Sequence, residues 1–311
     1  MIIFAGSGSS RLTKKICEYL NVQQGQCQLI RFSEGTLFVQ IDENIRGKDV
    51  YIIQSTSNPA NDNFMELLFM IDACKRANAK TVTPIIPYFS YAKGDKMDDA
   101  RVSIRARVCA DAIESTGADH VVFLDLHAQQ IQGFFSIPVD NLHALPILSK
   151  SLREKRIKNP VIVSPDVGFI KQARLFAKAL DCSLVIVYKE RVAHDENAKV
   201  INILGDVNGK TAIIVDDFIA SGGTLIEAAE NLINRGALSV WASVTHGLFT
   251  KNAKERIQNS PIEHIIVTDS VETESQPVSD KIQIVSIAPL VGEVIRRIHN
   301  GDSISELSCT P

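Results

Sequence analysis

Two adjacent carboxylates, Asp216 and Asp217, close the apolar run Ile213-Ile214-Val215. The chain then passes through Phe218-Ile219-Ala220-Ser221-Gly222-Gly223-Thr224 into a helical pattern that begins near Leu225. A buried strand ending on paired acids, followed by small residues and a helix, offers two kinds of chemistry. Asp216 and Asp217 can accept hydrogen bonds from sugar hydroxyls. The turn presents backbone N–H groups, two hydroxyls and the positive end of a helix dipole, which together can cradle a phosphate. Glycine lets the backbone come close to the anion. The plainer alternative is a turn whose Ser or Thr only caps the helix.

Four further stretches carry chemically useful side chains at the ends of apolar runs. In Leu124-Asp125-Leu126-His127 the histidine follows a strand and can face a ligand, although a lone histidine is commonly structural. In Val163-Ser164-Pro165-Asp166-Val167-Gly168 the carboxylate of Asp166 can hold Mg²⁺, directly or through water, or can cap the next helix. Tyr188-Lys189-Glu190-Arg191 places two cations before the polar segment 192–199, where they could close over phosphoryl oxygens or simply lie in solvent. Pro87-Tyr88-Phe89-Ser90-Tyr91-Ala92-Lys93-Gly94-Asp95-Lys96 is an aromatic and basic loop that could stack a base and meet phosphates, or cover a core edge.

The elements that would position these loops alternate along the chain. Strands are expected at Val50–Ser55, Thr81–Pro87, His120–Leu126, Val161–Pro165, Leu184–Tyr188, Thr211–Asp216, Ser239–Thr245, His264–Asp269 and Gln283–Ile287. Helices are expected at Asn61–Ala77, Ile104–Thr116, Gly168–Ala179 and Thr224–Arg235. Runs of Val and Ile separated by helices predict an α/β fold of mainly parallel sheets flanked by helices, with ligands outside the carboxyl ends of the strands. The chain has 311 residues, which suits two domains of about 150 residues each. The expected boundary lies in Asn141–Asn159, giving domains 1–145 and 146–311. A net charge of −3 without a basic tract argues against a nucleic-acid partner. Six scattered cysteines suit a reducing compartment, and the N-terminal apolar stretch is too short for a signal peptide or membrane span. The expectation is a cytoplasmic protein with no membrane partner.

Taken in order, these stretches resemble the ribose-phosphate pyrophosphokinase (phosphoribosyl pyrophosphate synthetase) family. The likeness also includes Arg31-Phe32-Ser33-Glu34-Gly35, Glu43-Asn44-Ile45-Arg46-Gly47, Gln54-Ser55-Thr56, Thr245-His246-Gly247 and Ile295-Arg296-Arg297. It implies two similar phosphoribosyltransferase-type domains, homo-oligomers (dimers or hexamers), and Mg²⁺-dependent transfer of diphosphate from ATP to a ribose-5-phosphate-type sugar. The sugar 5-phosphate would lie on Ala220, Ser221, Gly222, Gly223 and Thr224, and the ribose hydroxyls on Asp216 and Asp217. His127 and Asp166 match positions that meet Mg²⁺ and the triphosphate. Lys189 and Arg191 match the cations that act with His127 in the transition state. Phe32, Glu34, Lys93 and Asp95 match the nucleotide side. Arg46, Arg101, Gln132, Ser303 and Ser305 fall where many members bind a regulatory phosphate or ADP.

The chain departs from the family at several of these places. Ala220 and Ser221 stand where Asp-Thr is usual, Phe169 where a glycine is usual, Glu34-Gly35-Thr36 for Asp-Gly-Glu, and Lys93-Gly94 for Arg-Gln. Lys is not equivalent to Arg at a bidentate or stacking position. Three readings follow: a synthetase acting on ribose 5-phosphate, the same transfer to a larger acceptor such as ADP-ribose stacked on Phe169, or a non-catalytic regulatory subunit.

Overall fold

A computed structural model describes residues 1–191, 199–272 and 279–308, with the backbone alone at 189–191, 199–201 and 308. The described residues form two compact α/β units, each built on its own sheet.

The first unit comprises Met1–His143, Ser270–Glu272 and the chain from Ser286 onward. Its strands are β1 (Ile2–Ala5), β4 (Asp49–Ile53), β5 (Thr81–Ile86), β6 (Val121–Leu124) and β7 (Val139–Leu142), all parallel and in that order across the sheet; a separate antiparallel hairpin pairs β2 (Cys27–Arg31) with β3 (Leu37–Ile41). Ile2, Phe4, Val50 and Ile52 share a buried core with α2 (Ala60–Arg76) and α3 (Arg105–Ser115). Pro84 lies inside β5, where its missing N–H would ordinarily break a ladder. The β5–β6 pairing begins only at Ile85, so this position has one strand neighbour, β4.

The second unit comprises Ala144–Asp269 and Thr273–Val285. Its sheet runs β10 (Lys199–Leu204), β9 (Ser183–Arg191), β8 (Pro160–Ser164), β11 (Thr211–Ile219), β12 (Ser239–Gly247), β13 (Ile262–Thr268), β14 (Ile282–Val285). All neighbours are parallel except β9 and β10. Helices α4 (Leu145–Glu154), α5 (Ile170–Leu180), α6 (Gly223–Asn234) and the short α7 (Ala253–Gln258) complete it. Val161, Val163, Ala212, Ile214, Val240 and Ala242 are fully buried in this core.

Each expected strand and helix is present within a few residues of its expected bounds. The first break between the units falls between His143 and Ala144, inside the expected stretch Asn141–Asn159, which holds the end of β7 and the whole of α4. The residues from Ser286, assigned by sequence to the second domain, group with the first. The reason is α8 (Ala288–Asn300), which packs on α1 (Ser10–Leu20) through one apolar stripe. Gly292 makes that approach possible, since a Cβ there would come within 2.5 Å of the Tyr19 ring. Val291, Val294 and Ile295 are buried with it.

Among the described residues no helix is long and apolar enough to cross a membrane. Burial pushes the thiols of Cys17, Cys27 and Cys109 up to about 11 and that of Cys74 up to about 12, which leaves them protonated and unreactive.

Truncating Ile295 to Ala should remove roughly 2–5 kcal/mol of stability, read from the urea midpoint, if α8 closes the first unit. A loss under about 0.5 kcal/mol would place α8 outside the cooperative core.

Candidate active site

The second sheet ends in acids. Residues 211–215 of β11 are buried apolar or backbone-paired positions, so the carboxylates that follow emerge at the carboxyl edge beside the end of β8. Asp217 is buried and Asp216 half-buried. The amide of Asp217 donates to Asp216 Oδ1 at 2.9 Å, and that of Phe218 to Asp217 Oδ1 at 2.8 Å. Burial first, then the neighbouring charges of Asp217 and Asp166, raise Asp216 well above the ordinary carboxylate range. A cluster of this kind favours hydroxyl donors or a cation at its mouth.

The turn after β11 leads straight into α6. Gly222 adopts φ +74°, a left-handed backbone open to glycine, and caps α6 without any side-chain hydrogen bond. Neither the Ser221 nor the Thr224 hydroxyl has a hydrogen-bond partner among the described residues. The cap-only alternative therefore does not describe this turn. The first amides of α6 have no intrahelical acceptor either, so donors converge on one point. The chain leaving β12 holds the loop from behind: Leu248 and Phe249 N–H donate to Ile219 O, and Thr250 N–H to Ala220 O at 3.0 Å. Gly222 rests over Ile257 of α7. Arg256 Nη1 donates to Ser221 O at 3.1 Å.

Asp166 sits at the turn between β8 and α5. Its Oδ1 accepts the Phe169 N–H at 3.0 Å, one residue before α5, while Oδ2 has no hydrogen-bond partner among the described residues and the side chain is exposed. Phe169 is half-buried at the same turn. Lys189 and Arg191 lie at the end of β9, in register with Ile201 and Lys199 of β10. Their side chains, and residues 192–198, lie outside the described residues.

In the first unit the carboxyl edge carries Lys93 and His127, both exposed, on the loops after β5 and β6. Gln130 Nε2 donates to Asp95 Oδ2, tying those two loops together. Asp125 stands at φ +41° and takes a 2.9 Å hydrogen bond from His143 Nδ1; that bond raises the histidine above its usual range. Phe32 and Glu34 sit at the tip of the β2–β3 hairpin, where the Phe32 and Phe38 rings lie 6.2 Å apart. Glu34 is lowered by its own backbone amide and the Thr36 hydroxyl. The first turn of α2 joins the hairpin to the Lys93 loop: Asp62 pairs with Arg31 at 2.6 Å, and Asn61 accepts the Tyr91 hydroxyl.

The suggested regulatory residues do not form one cluster within the unit. Arg46 precedes β4 and so lies at the amino edge of the sheet, whereas Arg101 and Gln132 follow β5 and β6 at the carboxyl edge. Ser303 and Ser305 follow α8, with Ser303 O accepting from Arg297. The sequence reading missed Arg256 and the Asp125–His143 pair. Arg256 lies 35 residues from the carbonyl it meets, and no local spacing marks such a contact.

Because Asp216 is raised in the folded protein, its stabilising contribution is complete below the unfolded carboxyl pKa of about 3.9 and is lost as pH rises through the folded value. Asp216→Asn keeps an acceptor for the Asp217 amide and removes the ionisation cost. The variant should melt higher than the parent at pH about 8, with the difference shrinking toward pH about 4. Thermal denaturation at the two pH values decides this; a variant that melts lower at the higher pH contradicts the burial argument.

The comparisons with known proteins agree with this architecture. Residues 1–117 match the family profile described as the N-terminal domain of ribose phosphate pyrophosphokinase, and residues 193–308 match the phosphoribosyl synthetase-associated domain. A ribose-phosphate pyrophosphokinase from Rhizobium meliloti (strain 1021) is 46% identical over 309 residues, 99% of either chain. One from Aquifex aeolicus (strain VF5) is 45% identical over 306 residues, 98% of either chain. The crystal structure of phosphoribosylpyrophosphate synthetase from Mycobacterium smegmatis superposes with a TM-score of 0.90 at 36% identity, covering 96% of this chain and 99% of that one. Full-length identity at this level means that the chain belongs to the ribose-phosphate pyrophosphokinase family.

Proposed function

We propose that the chain transfers the β,γ-diphosphate of ATP to the anomeric hydroxyl of ribose 5-phosphate, giving 5-phosphoribosyl diphosphate and AMP. The observation that carries this reading is the turn 220–224, whose two unpartnered hydroxyls and helix amides stand next to Asp216 and Asp217. The loop would take the 5-phosphate and the acids the ribose hydroxyls. The anomeric oxygen then attacks the β-phosphorus in line, the α–β anhydride bond breaks, AMP leaves, and the hydroxyl proton passes to solvent. Such a transfer depends on positioning and charge stabilisation more than on covalent help. Lys189, Arg191 and His127 would meet the charge developing on the phosphoryl oxygens, and Phe32, Glu34, Lys93 and Asp95 the nucleotide.

Mg²⁺ fits the residues present. Among the described residues no three His, Cys, Asp or Glu side chains gather into a metal cage, and Asp166 keeps one exposed carboxylate oxygen. Mg²⁺ is commonly bound by one or two carboxylates together with substrate phosphates, which suits such a donor set. When bound it neutralises phosphate charge. A cytoplasmic homo-oligomer suits this chemistry, and a regulatory anion site built from Arg46, Arg101, Gln132, Ser303 and Ser305 would draw on more than one protomer. The half-buried Phe169 keeps a second acceptor in view, ADP-ribose, whose base could stack there. A purely regulatory subunit would have no use for Asp166, Asp216 and Asp217 at one sheet edge.

Incubation with Mg·ATP and either sugar should release AMP with ribose 5-phosphate. Release with ADP-ribose alone overturns the acceptor, and Phe169→Gly should then impair that acceptor more than ribose 5-phosphate. Lys189→Ala should lower kcat by a factor of about 10²–10³ with little change in ATP affinity. Unchanged turnover would remove Lys189 from the reaction.

A further inference from the structure

The cradle for the sugar phosphate has an electrostatic problem. Its amides and hydroxyls follow Asp216 and Asp217 at a sheet edge shared with Asp166, where burial first and then the neighbouring acids raise Asp216 above its ordinary range. A terminal phosphate carries a charge of about −1.5 to −2 near neutral pH. The residues 220–224 contain no cation, and the acid usual in the loop is already replaced by Ala220. Helix amides alone contribute only about half a positive charge.

Arg256 answers this. Nη1 is fixed on the Ser221 carbonyl, and Nη2 and Nη1 lie 3.5 and 3.9 Å from the place a Cβ on Gly223 would occupy. The guanidinium is therefore at the first residue of α6, where the phosphate would rest. Its side chain is exposed, and among the described residues no carboxylate pairs with it. The path that delivers it is specific. Phe249 and Lys251 both adopt left-handed backbone, φ +45° and +55°, an uncommon conformation for such residues, and together they bend the exit of β12 into α7. Buried Ala253 and Ile257 then anchor α7 against the core, setting Arg256 over the turn.

We infer that Arg256 is a binding residue for the 5-phosphate of the sugar, and that it favours a terminal phosphomonoester over the less charged phosphodiester of an acceptor such as ADP-ribose. This rests on the assignment of residues 220–224 to the sugar phosphate. Guanidinium forks onto phosphate oxygens through paired charge-assisted hydrogen bonds, and one such contact remains open once Nη1 holds Ser221.

The test uses the full chain and three variants, Arg256→Ala, Arg256→Gln and Arg256→Lys. Glutamine keeps a donor near the Ser221 carbonyl without the charge; lysine keeps the charge. AMP release with Mg·ATP should show the KM for ribose 5-phosphate rising roughly 10- to 100-fold in the Ala and Gln variants, with partial recovery in the Lys variant. The KM for ATP should stay unchanged, and kcat should move less than about threefold. Calorimetric titration of ribose 5-phosphate without nucleotide should show the same order of affinities. A KM within about twofold of the parent in the Ala variant overturns the assignment. So does full retention by the Gln variant, because the arginine would then only brace the loop. If the parent protein releases no AMP, the proposed reaction fails, and the titration still decides whether Arg256 binds the sugar phosphate.

Discussion

Three carboxylates share the end of one sheet. Asp166, Asp216 and Asp217 come from the ends of two adjacent parallel strands, and parallel pairing brings those ends to the same edge. Once such acids are crowded, one of them is driven toward its protonated form, and any phosphate nearby needs compensating donors. The left-handed Gly222, the unpartnered hydroxyls, the start of α6 and the guanidinium from α7 read as successive answers to that one electrostatic demand. The two backbone amides that hold the carboxylates in place keep the acids from swinging away from each other.

Much of this was legible in the residues. The strands of both sheets are short Val- and Ile-rich runs, and burial on both faces leaves no competing pattern, so β8, β11 and β12 fall where expected. The turn after β11 was also visible, because paired acids followed by two glycines have few structural uses. The bond from the Phe169 N–H to Asp166 was not visible, since spacing alone does not say which neighbour a carboxylate meets. Arg256 was hidden for a different reason. Its partner lies across a strand and a crossover, and nothing in Lys254-Glu255-Arg256 distinguishes it from a solvated surface helix. Non-local contacts of this kind arise from the sheet order, which periodicity does not encode.

Phe32, Glu34, Lys93 and His127 are spread over several loops of the first unit. The hairpin tip with Phe32 and Glu34 communicates with the Lys93 loop through the first turn of α2, by one ion pair and one hydroxyl. An exposed ion pair of that sort contributes modestly. The loops bearing Lys93 and His127 are joined more directly, through Asp95 and Gln130. Gly94 is crowded by the Arg105 side chain, which occupies room that a longer residue at that position would need.

The return of α8 to the first unit bears on how the polypeptide reaches this state. One unit is interrupted by the other in sequence: its sheet is complete by β7, yet Ala288–Asn300, the helix that packs on α1, follows only after the second unit. On a ribosome, where N-terminal segments ordinarily close first, the interrupting unit is the one with nearly all its chain available early. The earlier-made unit must wait for α8 before α1 has its helical partner. Vectorial synthesis and completion of the core therefore run in opposite orders for the two halves of this chain.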